Sequence, residues 1–313
     1  MIDRTNFTMW SGAGKNGWIQ SRHNRTYDIP FPTSEMDVIL QPQGSCEIVP
    51  IDVAAENVAN DISATYDNIY VAMSGGIDSE FIAKTFLRLH IPFTPVIVQI
   101  EDLNEADIWW AYKWCKDNNI EPVTISKSAA DTMKRVIEIS SATCSRFGIG
   151  LAVMSFLNEY VTSKNGSLVT GAGFFEYFPD SNLNYMAKDD GPGYKDSKLH
   201  VNGTVKEGYI MHEPDILQSK IWPNMPFNFL SWTPEIVLSY IAARDMTKTS
   251  EDNKAEIFNC SPRPKNIGIH GFYFVKSPLI MHWTELRREI GTSECEYLGT
   301  KEELIMLLKN LND

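Results

Sequence analysis

The sequence predicts an α/β protein: a doubly wound, mostly parallel sheet with a small N-terminal appendage and a helical C-terminal extension. Three observations predict it. From residue 67, short β-branched runs alternate with stretches of helical apolar spacing, the rhythm of parallel βαβ units covered on both faces. A Gly-Gly turn, Ser74-Gly75-Gly76-Ile77-Asp78-Ser79, joins the first strand of that series to its first helix. Residues 1–66, rich in Asn, Gly, Pro and Ser, lack the rhythm. The chain is accordingly divided into a small N-terminal region (1–66), a nucleotide-binding core (67–180), a flexible lid or insertion (181–208) and a mainly helical C-terminal region (209–313).

The elements follow in order. Met36–Leu40 and Glu47–Val53 alternate as short strands do, and a helix is expected near Ala54–Thr65. Asn68–Met73 reads as a buried strand. Ile77–Leu89 repeats apolar residues at Ile77, Phe81, Ile82, Phe86 and Leu89, which is helical spacing. Val96–Ile100, Pro122–Ser126 and Ser167–Thr170 are further strands of a sheet expected to hold roughly five. Helices are expected over Asn104–Asn118, Ala129–Ser140 and Ser145–Ser163. Residues 180–208 are polar, Gly-rich and aperiodic, which marks the lid or insertion. Pro234–Ala243 and Lys301–Leu311 read as helices.

Composition excludes several classes. The 313 residues are 43% hydrophobic and 22% charged, which is ordinary globular usage and not that of a disordered chain, coiled coil or fibrous repeat. A net charge of −12 argues against a broad nucleic-acid footprint. The longest apolar stretch, Ile149–Leu157, falls far short of the roughly 20 residues that span a bilayer. The first residues carry no apolar signal region. Five scattered cysteines without a CxxC pair fit a reducing compartment and give no support to a zinc ribbon or iron–sulfur cluster. The expectation is a cytoplasmic protein with a small-molecule substrate.

The Ser74–Ser79 segment is an anion cradle by its chemistry. Two glycines let the backbone pass close to a phosphate and expose successive N–H groups. The helix that follows turns its positive end to the same spot. Ser74 and Ser79 add hydroxyls. Asp78 would repel a bare phosphate, so its place makes sense if Mg²⁺ bridges the carboxylate to phosphate oxygens.

This hexapeptide resembles the PP-loop signature of the N-type ATP pyrophosphatases, also called adenine nucleotide alpha hydrolases. The group includes asparagine synthetase, GMP synthetase, NAD synthetase and argininosuccinate synthase. The resemblance covers roughly residues 67–180 and implies a Rossmann-like fold and cleavage of ATP to AMP and pyrophosphate. It implies that Ser74, Gly75, Gly76, Ile77 and Ser79 hold the pyrophosphate part of ATP and that Asp78 holds Mg²⁺. It also implies that adenine rests beside the strand end at Gln99 and Ile100. A second segment, Val169–Phe178 (VTGAGFFEYF), is similar to the site-closing stretch of asparagine synthetases, with Gly171 and Gly173 beside the nucleotide. Ala172 and Phe175 stand where carboxylates are usual, so only Glu176 remains as a second metal ligand, against the alternative of a solvated loop residue. Asparagine synthesis itself is thereby put in doubt.

Further candidates are single cations. Arg146 precedes a helix, either as a catalytic cation that meets a phosphate at the carboxyl edge of the sheet, where ligands of open α/β folds bind, or as a surface arginine. Arg263 and Lys265 stand between prolines, either as a pyrophosphate clamp or as a solvated loop. Lys188, Lys195 and Lys198 would lie on the lid.

The implied enzyme adenylates a substrate oxygen and transfers nitrogen to it, with ATP and Mg²⁺ as cofactors. Glutaminase signatures are missing: Ile2 follows Met1, and Cys46 sits in GSCEI. Ammonia, an amino substrate or a separate ammonia-supplying subunit would provide nitrogen. The resembling synthetases suggest a homodimer. Two alternatives stay open. Trp232-Thr233-Pro234-Glu235 is similar to a helix start in PAPS reductases, which would make Cys295 a nucleophile, although a capped core helix accounts for it as well. The eroded acidic segment leaves room for a non-catalytic ATP-binding protein.

Overall fold

The computed structural model describes residues 47–101, 103–143, 149–171, 227–245, 248 and 250–263, together with short strands at both ends of the chain and in its middle. Three N-terminal strands, β1 (Thr8–Ser11), β2 (Ile19–Arg25) and β3 (Ser34–Leu40), form an antiparallel sheet in which Ile19 faces Leu40. The expected strand at Met36–Leu40 falls within β3. The one expected at Glu47–Val53 does not form. Residues 47–50 have no regular structure, and Ile51 opens helix α1 (Ile51–Thr65). Pro50, with φ −53°, occupies the N-cap. Beyond it Ala54, Ala55, Val58, Ala59 and Ile62 recur on one buried helical face, and that period overrides the short alternation before it.

The central sheet is built from β4 (Ile69–Ala72), β5 (Thr94–Ile100), β6 (Val123–Lys127), β7 (Ser167–Thr170) and, much later in the chain, the two-residue β10 (Phe227–Asn228). Its order is β10-β7-β4-β5-β6, and every neighbouring pair is parallel. Helices α2 (Ile77–Arg88), α3 (Glu105–Asp117), α4 (Ala129–Thr143) and α5 (Ile149–Ser163) alternate with the strands as expected. The first three strands step outward from β4 on one side. The chain then returns to pair β7 on the other side of β4. The strand order therefore reverses between β4 and β7, which is the crevice where open α/β sheets bind ligands.

Helices cover both faces. Along β5 successive side chains point to opposite sides: Val96, Val98 and Ile100 pack with Ala152, Phe156, Leu157 and Val161 of α5, while Ile97 joins the other core. That second core gathers α1, α2, α3 and two later helices, α6 (Pro234–Ala243) and α7 (Ser250–Ile257). Phe86 and Phe229, fully buried, lie 5.9 Å apart at its centre. Although α1 lies within the span 1–66, it buries its apolar face in this core, against α2 and α6.

A third sheet, β11-β9-β8, joins β8 (Phe175–Phe178), β9 (Lys198–Val201) and β11 (Glu296–Gly299) in antiparallel pairs. Strand β9 falls inside the expected lid. The expected helix at Lys301–Leu311 and the start of the one expected from Ser145 lie outside the described residues. No described helix is long and apolar enough to cross a membrane.

Candidate active site

The segment from Ser74 to Ser79 leaves the carboxyl end of β4 and enters α2, beside the point of strand reversal. Gly75 has φ +86°, a conformation open to glycine and strained for any other residue. A Cβ at Gly75 would fall on the main-chain carbonyl of Asp107 in α3. The space a side chain at Gly75 would need is thus filled by the backbone of α3. Gly76 differs. A Cβ there would meet only Ser74 Oγ, at 3.3 Å, and otherwise point into open space. The first turn of α2 begins at Ile77, so the N–H groups of Ile77, Asp78 and Ser79 have no intrahelical acceptor.

The two serines brace the turn. Gly76 N–H donates to Ser74 Oγ at 3.2 Å, and Ser79 Oγ donates to the Gly76 carbonyl at 2.9 Å. Ser79 is buried and its proton is committed, so it shapes the cradle from within. Ser74 and Gly76 are exposed at its mouth.

Asp78 projects from the first turn of α2. Its Oδ2 accepts from Lys254 Nζ at 2.8 Å, while its Oδ1 is buried and has no hydrogen-bond partner among the described residues. An orphaned carboxylate oxygen at a helix N-terminus fits a divalent cation. No group of three or more metal-ligating residues occurs among the described residues. Gly171, just past β7, packs against this residue: a Cβ there would lie 3.0 Å from Asp78 Cβ. Its smallness lets β7 end against α2.

Behind the loop lies a cluster that sequence reasoning left undecided or missed. Arg263 is buried, not part of a solvated loop. Its Nη1 donates to the Gly75 carbonyl, its Nη2 pairs with Glu80, and its guanidinium lies 5.1 Å from the ring centre of Trp110. Desolvation holds its pKa below the usual arginine value. Lys84 bridges Glu80 at 3.0 Å and the Asn259 carbonyl at 2.9 Å. Its ammonium stands 3.6 Å from Cys260 Sγ and partly offsets the burial that raises that thiol's pKa. Lys84, Lys254 and Arg263 thus face Asp78 and Glu80 around the loop. Lys254 was missed altogether, since nothing around it in SEDNKAEI marks a ligand.

At the adjacent strand end, Ile100 N–H donates to Asn104 Oδ1 at 2.8 Å and the Ile100 carbonyl accepts from Leu103 at 3.1 Å. The buried Asn104 side chain thus fixes the turn after β5, with Gln99 half-buried one residue earlier. Arg146, Gly173, Lys188, Lys195, Lys265 and Cys295 lie outside the described residues. Of Glu176 and Lys198 the structure gives the strand backbone, with Glu176 opposite His200 and Lys198 opposite Phe178. The Trp232 segment is a packing element: Thr233 caps α6 by accepting from Ile236 N–H, and the Trp232 indole donates to Asp61 Oδ2 at 2.6 Å.

A parallel sheet whose order reverses beside a Gly-Gly turn, with a carboxylate and cations around it, is an open α/β architecture with a candidate ligand site at the reversal. No family model matches the chain, and no curated protein does. Among solved structures the chain is similar to an NH3-dependent NAD synthetase from Campylobacter jejuni at 18% identity, with 40% of this chain and 58% of that one covered and a TM-score of 0.31. It is also similar to an NMN synthetase from Francisella tularensis at 14% identity, covering 77% of this chain and 96% of that one, with a TM-score of 0.33. The chain thus spans less than two thirds of the length of the Campylobacter enzyme.

Proposed function

We propose that this protein is an ATP-dependent synthetase that adenylates a substrate oxygen, releases pyrophosphate and passes nitrogen to the activated product. One observation carries the reading: the Gly75–Gly76 turn at the strand reversal, open at Gly76 and flanked by Asp78. In this reading the unpaired N–H groups of Ile77, Asp78 and Ser79 take the β and γ phosphates. Asp78 would hold Mg²⁺, which would supply positive charge for the leaving pyrophosphate. With that end cradled, the α-phosphorus is the exposed electrophile. A carboxylate or amide oxygen attacks it, the bond to the bridging oxygen breaks, and pyrophosphate leaves with the electron pair. An amine nitrogen then attacks the activated carbon and AMP departs. The protein contributes positioning and fixed charge.

Gln99 and Ile100 flank adenine in this proposal, and Gly171 and Gly173 border the nucleotide. Arg146 meets phosphate and Glu176 serves as a second metal ligand. Nitrogen comes from ammonia, an amino substrate or a separate subunit, and the chain works as a homodimer in the cytoplasm.

Chromatography of labelled nucleotide after incubation with Mg²⁺, ammonia and a panel of carboxylates tests this. AMP and pyrophosphate are the expected products. Asp78→Asn should lower turnover about 100-fold, or about 2.7 kcal/mol. ADP as the main product, or full activity in Asp78→Asn, would overturn the proposal.

A further inference from the structure

The loop and the cluster behind it lie on the face of the sheet that α2 covers. The opposite face, toward α5, carries polar side chains with no part in the chemistry above. Strand pairing sets them in a row. Along β7, Leu168 joins the core with α5 and Val169 the core on the other face, so Thr170 turns toward α5. Val71 pairs with Val169, and Asn228 with Thr170. Ala72, Thr170 and Asn228 therefore stand side by side at the carboxyl ends of β4, β7 and β10 and point to one face. Open α/β sheets take their ligands at such an edge, beside the strand reversal.

Helix α5 brings a further polar group to the same level. Only Lys164, Asn165 and Gly166 separate α5 from β7, so the helix runs against the strands with its first residues toward the carboxyl edge. The Tyr160 ring meets that of Tyr70, near the start of β4, at 6.2 Å. Ser155 precedes Tyr160 by about 7.5 Å along the helix axis, at about 1.5 Å per residue. Ala72 lies beyond Tyr70 by about 6.6 Å along the strand, at about 3.3 Å per residue. Ser155 is thus level with the row.

Two of these groups are orphaned. Asn228 is 6% exposed and Ser155 0%. Asn228 Oδ1 and Ser155 Oγ are buried and have no hydrogen-bond partner among the described residues. Buried polar atoms are ordinarily paired, because leaving one unpaired costs free energy. The Asn228 oxygen can only accept, whereas the Ser155 hydroxyl can donate. A carboxamide complements both, with an N–H for Asn228 Oδ1 and a carbonyl for Ser155 Oγ. A carboxylate has no donor to offer, and neither the row nor Ser155 supplies a cation to receive it. A methyl group would leave both atoms unpaired.

Resting on the adenylation reading of the site, we infer that Asn228 and Ser155 form the subsite for the non-reacting end of the acceptor, and that this end is an uncharged carboxamide. The acceptor is then a carboxylic acid whose carboxamide is set apart from the carboxyl that attacks the α-phosphorus. Subsite and loop are joined through β7, since Thr170 precedes Gly171, which packs against Asp78.

Pyrophosphate exchange into ATP reads adenylation without the nitrogen step. It is run with Mg²⁺ on wild type, Asn228→Leu and Ser155→Ala, using butyrate, succinate and succinamate. These acids share a chain length and end in methyl, carboxylate and carboxamide. Wild type should use succinamate with a kcat/KM at least about tenfold above the other two. Asn228→Leu should erase that preference while keeping wild-type ATP affinity, and Ser155→Ala should reduce it about threefold. A residue that only packs, or only holds an internal water, leaves the preference unchanged. That result in a folded Asn228→Leu variant overturns the inference. So does a wild type that prefers butyrate or succinate, or that exchanges with none of the three. Asn228→Ala reads the same preference if the leucine variant does not fold. Each of these outcomes leaves adenylation standing, whereas absence of AMP with every carboxylate of the wider panel removes adenylation and the inference together.

Discussion

The loop at 74–79 and the segment at 250–263 shape the same site by different means. The loop works through backbone: a positive φ at Gly75, open space at Gly76 and the amides of a helix start. The segment works through side chains. Lys254 reaches Asp78, Arg263 grips the Gly75 carbonyl from behind, and Cys260 and the Asn259 carbonyl flank Lys84. A backbone cradle needs a local run of particular residues. Charges that complete it need only reach it, and they come from anywhere in the chain.

The largest effect expected from breaking this arrangement is at Arg263. Arg263→Met leaves Glu80 buried beside the aliphatic part of the site with Lys84 as its remaining cation. The loss of stability should be about 3–5 kcal/mol, read by urea denaturation. Adding Glu80→Leu should recover part of it, because an apolar pair leaves no uncompensated charge. A loss under 1 kcal/mol in Arg263→Met would mean that the segment does not hold the loop.

Next comes Gly75→Ala, which forces a strained φ and drives a methyl group into the Asp107 carbonyl. Destabilisation of about 2–4 kcal/mol is expected, measured as a shift of the thermal or denaturant midpoint. A variant as stable as wild type would show that α3 does not back the loop as described.

A smaller effect is expected at Cys115 on the buried face of α3. Burial pushes its thiol from 9.0 up to about 11. The folded state then binds the proton more tightly than the unfolded state. Stability is unaffected below pH 9 and falls as pH rises from 9 towards 11. Its share is on the order of 2 kcal/mol by pH 11. Denaturation of wild type and Cys115→Ala across that range checks it: their stability difference should narrow as pH rises. A constant difference would contradict the shift.

The same contrast explains what the sequence revealed. Strand and helix rhythm, and the Gly-Gly turn between β4 and α2, are local signals and were legible. Gly171 lies beside the loop, and its neighbour is the protein's own Asp78 main chain and Cβ. The start of α1 was hidden because the alternation around Val49 and Ile51 mimics a strand until Pro50 and the alanine face of the helix are weighed together. Lys254 and Arg263 were not legible as a pair. Each is one cation among 28 Lys and Arg residues, and each meets its partner across more than 170 residues. Arg263 carried a faint signal in its flanking prolines. Lys254 carried none, because its role depends on how α7 packs against Phe81.

In the proposed function Gly76 opens onto a pyrophosphate site, and competition binding reads this out. Labelled ATP is displaced with inorganic pyrophosphate in Mg²⁺, for wild type and for Gly76→Ala. The added methyl meets only Ser74 Oγ, so the variant should fold with an unchanged midpoint. Pyrophosphate should displace ATP from wild type, and Gly76→Ala should weaken both ligands about tenfold, near 1.4 kcal/mol. Folded Gly76→Ala with wild-type affinity, or wild type whose bound ATP resists pyrophosphate, would contradict it.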